Sequence, residues 1–359
     1  MHPAAASAIM PPIMNFREQV EAFLSGGQPD RIPYSIYEWL FTGEGGDPAW
    51  QEMFADGLGL TWHASAHDLQ MQNVDAQDVT YQEQGHAVRR LTYTTPVGSV
   101  YETWKDGWQG ECFLKTPADY RTMAYIVDHT TITPAPDRIQ AKLAACGPHE
   151  VVWSAVRRSP YQRMLVDLAG VSNFPFHLAD FEDEVRLLYE ALRRQFCRIV
   201  EISADAPGPF VHFGENFNAD AIGPKRFEEF ILPVYQECIG ILHDAGKVVG
   251  AHYDGRTASC AEVIARSPLD LVESFTEPPE GDQTLTQARG NWPDKLIWCN
   301  IGVSDYQLSP GKLHEEVLSM VTAGAPDGRR LAFEVSEHLP ANWRQSMPVV
   351  LAALKETQA

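Results

Sequence analysis

What this sequence lacks narrows what it can be. No apolar run approaches the roughly 20 residues of a membrane span, so no membrane association is expected. No Gly-x-Gly-x-x-Gly follows a predicted strand, and no Gly-x-x-x-x-Gly-Lys-[Ser/Thr] occurs, so nucleotide-binding folds lose their best support. Cysteine pairs are also missing. Cys112, Cys146, Cys197, Cys238, Cys260 and Cys299 are widely spread, and none forms a Cys-x-x-Cys pair. In a chain of 359 residues that pattern implies reduced structural thiols and a cytoplasmic protein. Positive charge is scarce: 28 Lys and Arg stand against 48 Asp and Glu, a net charge of −20. Such a surface excludes nucleic acid and anionic lipid as natural partners. It also counts against a polyanionic substrate. The start, Met1 to Met14, lacks the basic region and long apolar core of a signal peptide and reads as a flexible tail.

What is present is a regular alternation. From about Glu150 onward, short apolar strand patterns alternate with amphipathic helices. Strands are expected at Tyr34–Trp39, Val151–Ala155, Phe210–Phe213, Val248–His252, Leu269–Phe275, Leu296–Ile301 and Leu331–Val335. Helices are expected near Asn15–Leu24, Tyr161–Ala169, Asp180–Glu201, Lys225–Ala245, Lys312–Thr322 and Trp343–Leu354. Residues 79–115 differ. They hold three β-rich segments with turns at Gln84-Gly85 and Pro96-Val97-Gly98, which predicts an antiparallel excursion. Strands alternating with helices mean parallel βα units. No linker divides residues 15–359, so a single (β/α)8 TIM barrel with an N-terminal antiparallel excursion is the economical fold.

In such a barrel the carboxyl ends of the strands converge on one mouth. Polar residues recur at these ends: Glu38, Glu215, His252 with Asp254, Glu273, Asn300, and Glu334 with Glu337. The stretch from Lys247 to Gly255 is the most telling. His252 and Asp254 stand two apart at a strand end, and residues i and i+2 share a face. That is half of a metal site, half of an acid–base site, or a histidine hydrogen-bonded to an aspartate with no chemistry. Tyr37 and Trp39 flank Glu38. With Trp104, Trp108 and Trp153 they suggest an aromatic-lined pocket. Asn300 adds a polar contact for substrate. His212 reads as a packed strand residue rather than a ligand. Arg157 and Arg158 follow a strand and could hold a carboxylate, but neighbours on an extended chain point opposite ways, so one of them at most does so.

The order of landmarks is more specific. Asp30-Arg31-Ile32-Pro33 and Thr95-Pro96-Val97-Gly98-Ser99 come first, followed by Gly223-Pro224-Lys225-Arg226-Phe227 and Leu232-Pro233-Val234-Tyr235. Asp244-Ala245-Gly246 then leads into the His252 strand. Glu277-Pro278-Pro279-Glu280-Gly281-Asp282, Cys299-Asn300-Ile301-Gly302 and Glu337-His338-Leu339-Pro340-Ala341-Asn342 complete the series. From about Asn15 onward this resembles the uroporphyrinogen decarboxylase superfamily. The resemblance implies a (β/α)8 barrel, often dimeric. It leaves two branches, porphyrinogen decarboxylases and zinc-dependent, corrinoid-linked methyltransferases.

The decarboxylases carry an Arg-Gln-Ala-Gly-Arg motif after the first strand. Here that place reads Tyr37-Glu38-Trp39-Leu40-Phe41-Thr42-Gly43, whose glutamate would repel a highly carboxylated tetrapyrrole. The methyltransferase branch has His-x-Cys-Gly and a second Cys after the last strand. This chain has His252-Tyr253-Asp254-Gly255, and Glu337 or Ser336 near the second position. The resemblance therefore implies Zn²⁺ or another divalent metal on His252, Asp254 and one or more of Glu337, Glu215 and Glu273, with Glu337 nearest the second Cys position; Glu38, Glu215 and Glu273 are the candidate catalytic carboxylates. Tyr37, Trp39, Trp153 and Asn300 would bind a small methylated substrate. A corrinoid on a partner protein would accept the methyl group. An oxygen-rich ligand set suits polarising an ether or hydroxyl oxygen better than activating a thiol. The alternatives are a metal-free decarboxylase or lyase, and a non-catalytic barrel that binds a small molecule.

Overall fold

The computed structural model describes residues 13–43 and 47–357. The tail expected over residues 1–14 lies outside them, apart from Ile13 and Met14. Eight parallel strands close into a barrel, numbered here β1 (Tyr34–Tyr37), β2 (Leu58–Ala64), β3 (Glu150–Val156), β4 (Phe210–Phe213), β5 (Val248–His252), β6 (Leu271–Phe275), β7 (Leu296–Ile301) and β8 (Leu331–Val335). Each strand pairs with the next in sequence, and β8 closes on β1. The (β/α)8 barrel expected from the sequence is the fold of the chain.

One barrel strand was not expected. β2 carries Gly59 in its interior, and glycine weakens a strand signal. The structure shows why glycine is there. A Cβ at Gly59 would lie 2.0 Å from the Phe16 ring. Phe16 opens the helix Phe16–Leu24, which starts with an Asn15–Glu18 capping box. Phe23 of the same helix meets Trp298 inside the barrel, edge to face at 5.5 Å. The helix thus closes the barrel from the end opposite the candidate site.

The expected excursion is present, starting and ending a few residues earlier than predicted and with a fourth, short strand. Asp75–Glu83, His86–Thr95, Gly98–Lys105 and Trp108–Gln109 form an antiparallel sheet in chain order between β2 and β3. Gln84 and Gly85 both have positive φ, 53° and 85°, as a two-residue hairpin turn requires. A second small sheet pairs His67–Met71 with Thr130–Pro134. The single helix expected over Lys225–Ala245 is broken into Ala219–Arg226, a π turn at Phe227–Ile231, and Leu232–Asp244. Gly223 (φ 71°) kinks the first piece, and Pro233 has no N–H to offer the helical ladder. No described helix is long and apolar enough to cross a membrane.

Candidate functional site

The site is built around a defect in β6. Pairing of β6 with β7 shifts register between Val272 and Phe275, and Ser274 sits at φ 59°. A non-glycine residue in that region is held by its surroundings. Asn300 on β7 does the holding. Its amide Nδ2 donates to Ser274 O at 3.2 Å, Ser274 Oγ at 2.8 Å and Thr276 Oγ1 at 3.0 Å. The residue before Ser274 is Glu273, fully buried in the barrel.

Glu273 gathers side chains from three other strands of the barrel. Its Oε2 lies 2.8 Å from His252 Nδ1 on β5 and 2.8 Å from His212 Nε2 on β4. The Tyr37 hydroxyl, at the end of β1, donates to Oε1. Burial alone would raise the Glu273 pKa, but the two imidazoles override it and hold the carboxyl well below its usual range. Glu334 on β8 shows the opposite behaviour. It is equally buried, and that burial together with the negative charge of Glu273 pushes its pKa well above the usual range. One carboxyl of the pair is ionised and the other keeps its proton.

A carboxylate can only accept from a ring N–H, so the Glu273 contact places a proton on His252 Nδ1. Burial would lower the pKa of this imidazole, but Glu273, Asp254 and Glu337 hold it well above the usual range, so a metal ion would take the place of a proton on the mouth-facing Nε2. That atom is buried and has no hydrogen-bond partner. Two carboxylates lie in front of it: Glu337 Oε1 at 3.4 Å and Asp254 Oδ2 at 3.7 Å. Asp254 is steadied by Asn216, whose amide lies 3.4 Å away. A cavity of about 200 Å³ opens here, lined by Asp254, Thr276, Asn300, Ser336 and Glu337 among others.

The donor set fits a divalent metal ion. Ligand atoms of His252, Asp254 and Glu337 all lie within 4.8 Å of one another. Two atoms each about 2.0–2.2 Å from one tetrahedral ion would stand roughly 3.4 Å apart, close to the separations found. A ring nitrogen that faces two carboxylates across a space fit for an ion, while the ring's other N–H is held by a third, is the arrangement metal-bound histidines use. His212, His252 and Glu273 also lie close enough to share an ion, but their facing atoms are already hydrogen-bonded together.

No protein-family model matches the sequence, and no curated protein matches it. Among solved structures, a methyltransferase from Methanosarcina mazei aligns at a TM-score of 0.54 and 11% identity, covering 96% of this chain and 100% of that one. The likeness is one of fold. The tandem catalytic modules of the pneumococcal exo-β-D-N-acetylglucosaminidase StrH align at a TM-score of 0.39 and 10% identity, over 91% of this chain and 84% of that one, too distant to carry an argument.

The structure brings together His252, Asp254 and Glu337, with Glu273 and Tyr37 directly behind them. Trp39 stacks on Tyr37 at 4.2 Å and is 45% exposed at the rim. Glu38 opens the short helix after β1 and binds His63 of β2, with Oε2 2.9 Å from Nδ1. Both side chains are partly exposed. His63 went unnoticed in the sequence because its strand did. His212 is buried, as expected, but shares an oxygen of Glu273 with His252 instead of packing inertly.

Two expectations need correction. Glu215 is not part of the cluster. Its Oε2 accepts from Ser159 N (3.1 Å) and Oγ (3.0 Å), and its Oε1 from the Tyr235 hydroxyl (2.9 Å). It ties the loop after β3 to the helix Leu232–Asp244 and is fully buried. Trp153 is 1% exposed and packs edge-on against Phe210 and Trp298, each at 5.2 Å. Its ring supports His63 at 5.1 Å and His212 at 4.9 Å from inside the barrel and does not line the mouth cavity. Asn300 does line that cavity, but its Nδ2 is committed to the β6 bulge; its Oδ1 has no partner.

Proposed function

We propose that this chain is a divalent-metal-dependent methyltransferase or demethylase of the uroporphyrinogen decarboxylase superfamily, closer to its methyltransferase branch. The observation that carries the reading is His252 Nε2, buried and unpartnered, directed at Asp254 and Glu337. The metal, most naturally zinc, would supply a Lewis acid that polarises the heteroatom bearing the methyl group. The residues do the rest. Glu273 fixes the tautomer and angle of His252 through the Nδ1–H bond. Asp254 and Glu337 supply negative charge that suits a divalent ion and leaves the site harder than a thiolate site. Tyr37 holds the far oxygen of Glu273. Trp39 gives an apolar flank at the rim for a small methylated substrate. His63, held by Glu38 and partly exposed, would return a proton to the heteroatom left behind. The methyl acceptor would be a corrinoid carried by a partner protein, approaching the open end of the barrel.

A second reading rests on the other half of the cluster. Glu273 ionised beside Glu334 protonated is a base and an acid with pKa values pushed apart, as a metal-free decarboxylase or lyase would need. Metal analysis separates the two. Protein purified without added zinc should carry about one divalent ion per chain, and His252→Ala should lose it together with methyl transfer to cob(I)alamin. Wild-type protein that binds no divalent ion, and a His252→Ala variant of unchanged activity, would leave the metal-free reading.

A further inference from the structure

A larger cavity, of about 590 Å³, lies between the antiparallel excursion and the barrel wall and takes no part in the site above. Its size is that of a small-molecule site. The excursion supplies one wall with Tyr93 and Trp104, and Phe113 stacks on Tyr93 at 5.3 Å. The barrel side supplies two guanidiniums, Arg157 directly after β3 and Arg163 in the turn that follows.

The state of these two arginines is unusual for a chain of net charge −20. Their neighbour Arg158 is paired, with Nη1 2.9 Å from Asp167 Oδ1 and a second bond to Asn216. Arg163 has no carboxylate partner among the described residues; its Nη1 donates to a neutral amide, Gln195 Oε1, at 2.6 Å. Arg157 makes no hydrogen bond and no ion pair with any described residue. Asp167 lines the same cavity and interacts electrostatically with both, but its hydrogen bond goes to Arg158. Glu102 also lines the cavity, but burial pushes its carboxyl up to about 7, so near neutral pH it offsets only part of one positive charge. Three guanidiniums, those of Arg157, Arg158 and Arg163, thus stand in or beside an aromatic-walled space whose lining acids are Asp167, already paired, and Glu102, partly protonated. Arg157 is exposed and Arg163 partly buried, so an anion entering from solvent can reach both guanidiniums.

We propose that this cavity is a second binding site, for a small organic anion with a flat apolar body, whose negative group is taken by Arg157 and Arg163 while its body lies against Tyr93, Trp104 and Phe113. A carboxylate or a phosphate would serve, since guanidinium forks match both. The inference does not depend on the metal reading.

Calorimetric titration of the full chain with 1-naphthoate, 1-naphthyl phosphate and 1-naphthalenemethanol tests it. At least one anion should bind one per chain, about tenfold or more tighter than the neutral alcohol. Whichever anion binds more tightly identifies the head group. Arg157→Gln should weaken the anions by about tenfold and leave the alcohol unchanged. That variant should fold normally, because Arg157 makes no internal bond to lose. Trp104→Ala should weaken all three ligands, and His252→Ala should change none. No binding of either anion up to millimolar concentration, equal binding of the alcohol, or insensitivity to Arg157→Gln would each overturn the proposal. Loss of binding in His252→Ala would place the anion at the barrel mouth and overturn it as well.

Discussion

Glu273 touches no solvent, yet it sets the direction of the imidazole that faces Asp254 and Glu337. Glu273→Gln is therefore the sharpest single test of the cluster. The amide keeps the shape but removes the charge and one acceptor. Zinc affinity, measured against a competing chelator, should fall about 10- to 100-fold, the usual effect of losing a partner behind a metal-bound histidine. Glu215 gives a contrasting prediction. Burial is the main reason its carboxyl is pushed up to about 7, against the pull of Tyr235 and Ser159. The folded chain then holds this proton more tightly than the unfolded chain, whose glutamate titrates near 4.5. Stability from this group is complete below about 4.5 and is lost as pH rises toward about 7, by roughly 3 kcal/mol. Urea midpoints of wild type and Glu215→Gln should differ in slope across that window, the variant being flatter. His252, Asp254 and Glu337 were legible in the sequence because they sit at or just beyond a strand end. His212 and Glu215 were not. Nothing in a sequence tells which oxygen a buried carboxylate will share, or that a serine and a tyrosine distant in the chain will satisfy it.

At the scale of elements, the strand pattern was legible wherever β-branched or aromatic residues ran together. Phe210–Phe213, Val248–His252, Leu296–Ile301 and Leu331–Val335 have the bounds read from the sequence. The failures have physical causes. Gly59 hid β2 because its lack of a side chain is a packing answer to Phe16, formed by a different part of the chain. The register shift in β6 was invisible because Ser274 and Thr276 carry no turn signal; the conformation is imposed by Asn300 across the strand. That gives Asn300 a testable positioning role. Asn300→Ala removes three donated hydrogen bonds around a strained residue, so the chain should lose about 1–3 kcal/mol of stability. Because Ser274 follows Glu273 directly, zinc affinity should fall in the same variant. A change in stability with zinc affinity untouched would separate the bulge from the site.

For the molecule as a whole, closure of the sheet leaves no exposed edge among the barrel strands and fixes the mouth as the place where loops can vary. The three candidate ligands do not come from adjacent strands. His252 and Asp254 belong to β5 and its loop, whereas Glu337 follows β8, and in the barrel β5 pairs with β4 and β6 while β8 pairs with β7 and β1. An ion shared among them is a tie across an opening, not along a wall. It acts as a removable cross-link between parts of the chain that the sheet itself does not join. Removing it should leave β5 intact and free the segment after β8, where Glu337 is half exposed. Zinc at 100 times its dissociation constant should add about 2.7 kcal/mol to stability. The larger signature is local. Amide hydrogen exchange in residues 336–342 should slow markedly when zinc is added and quicken again with chelator, while Val249–Ala251 stay protected throughout.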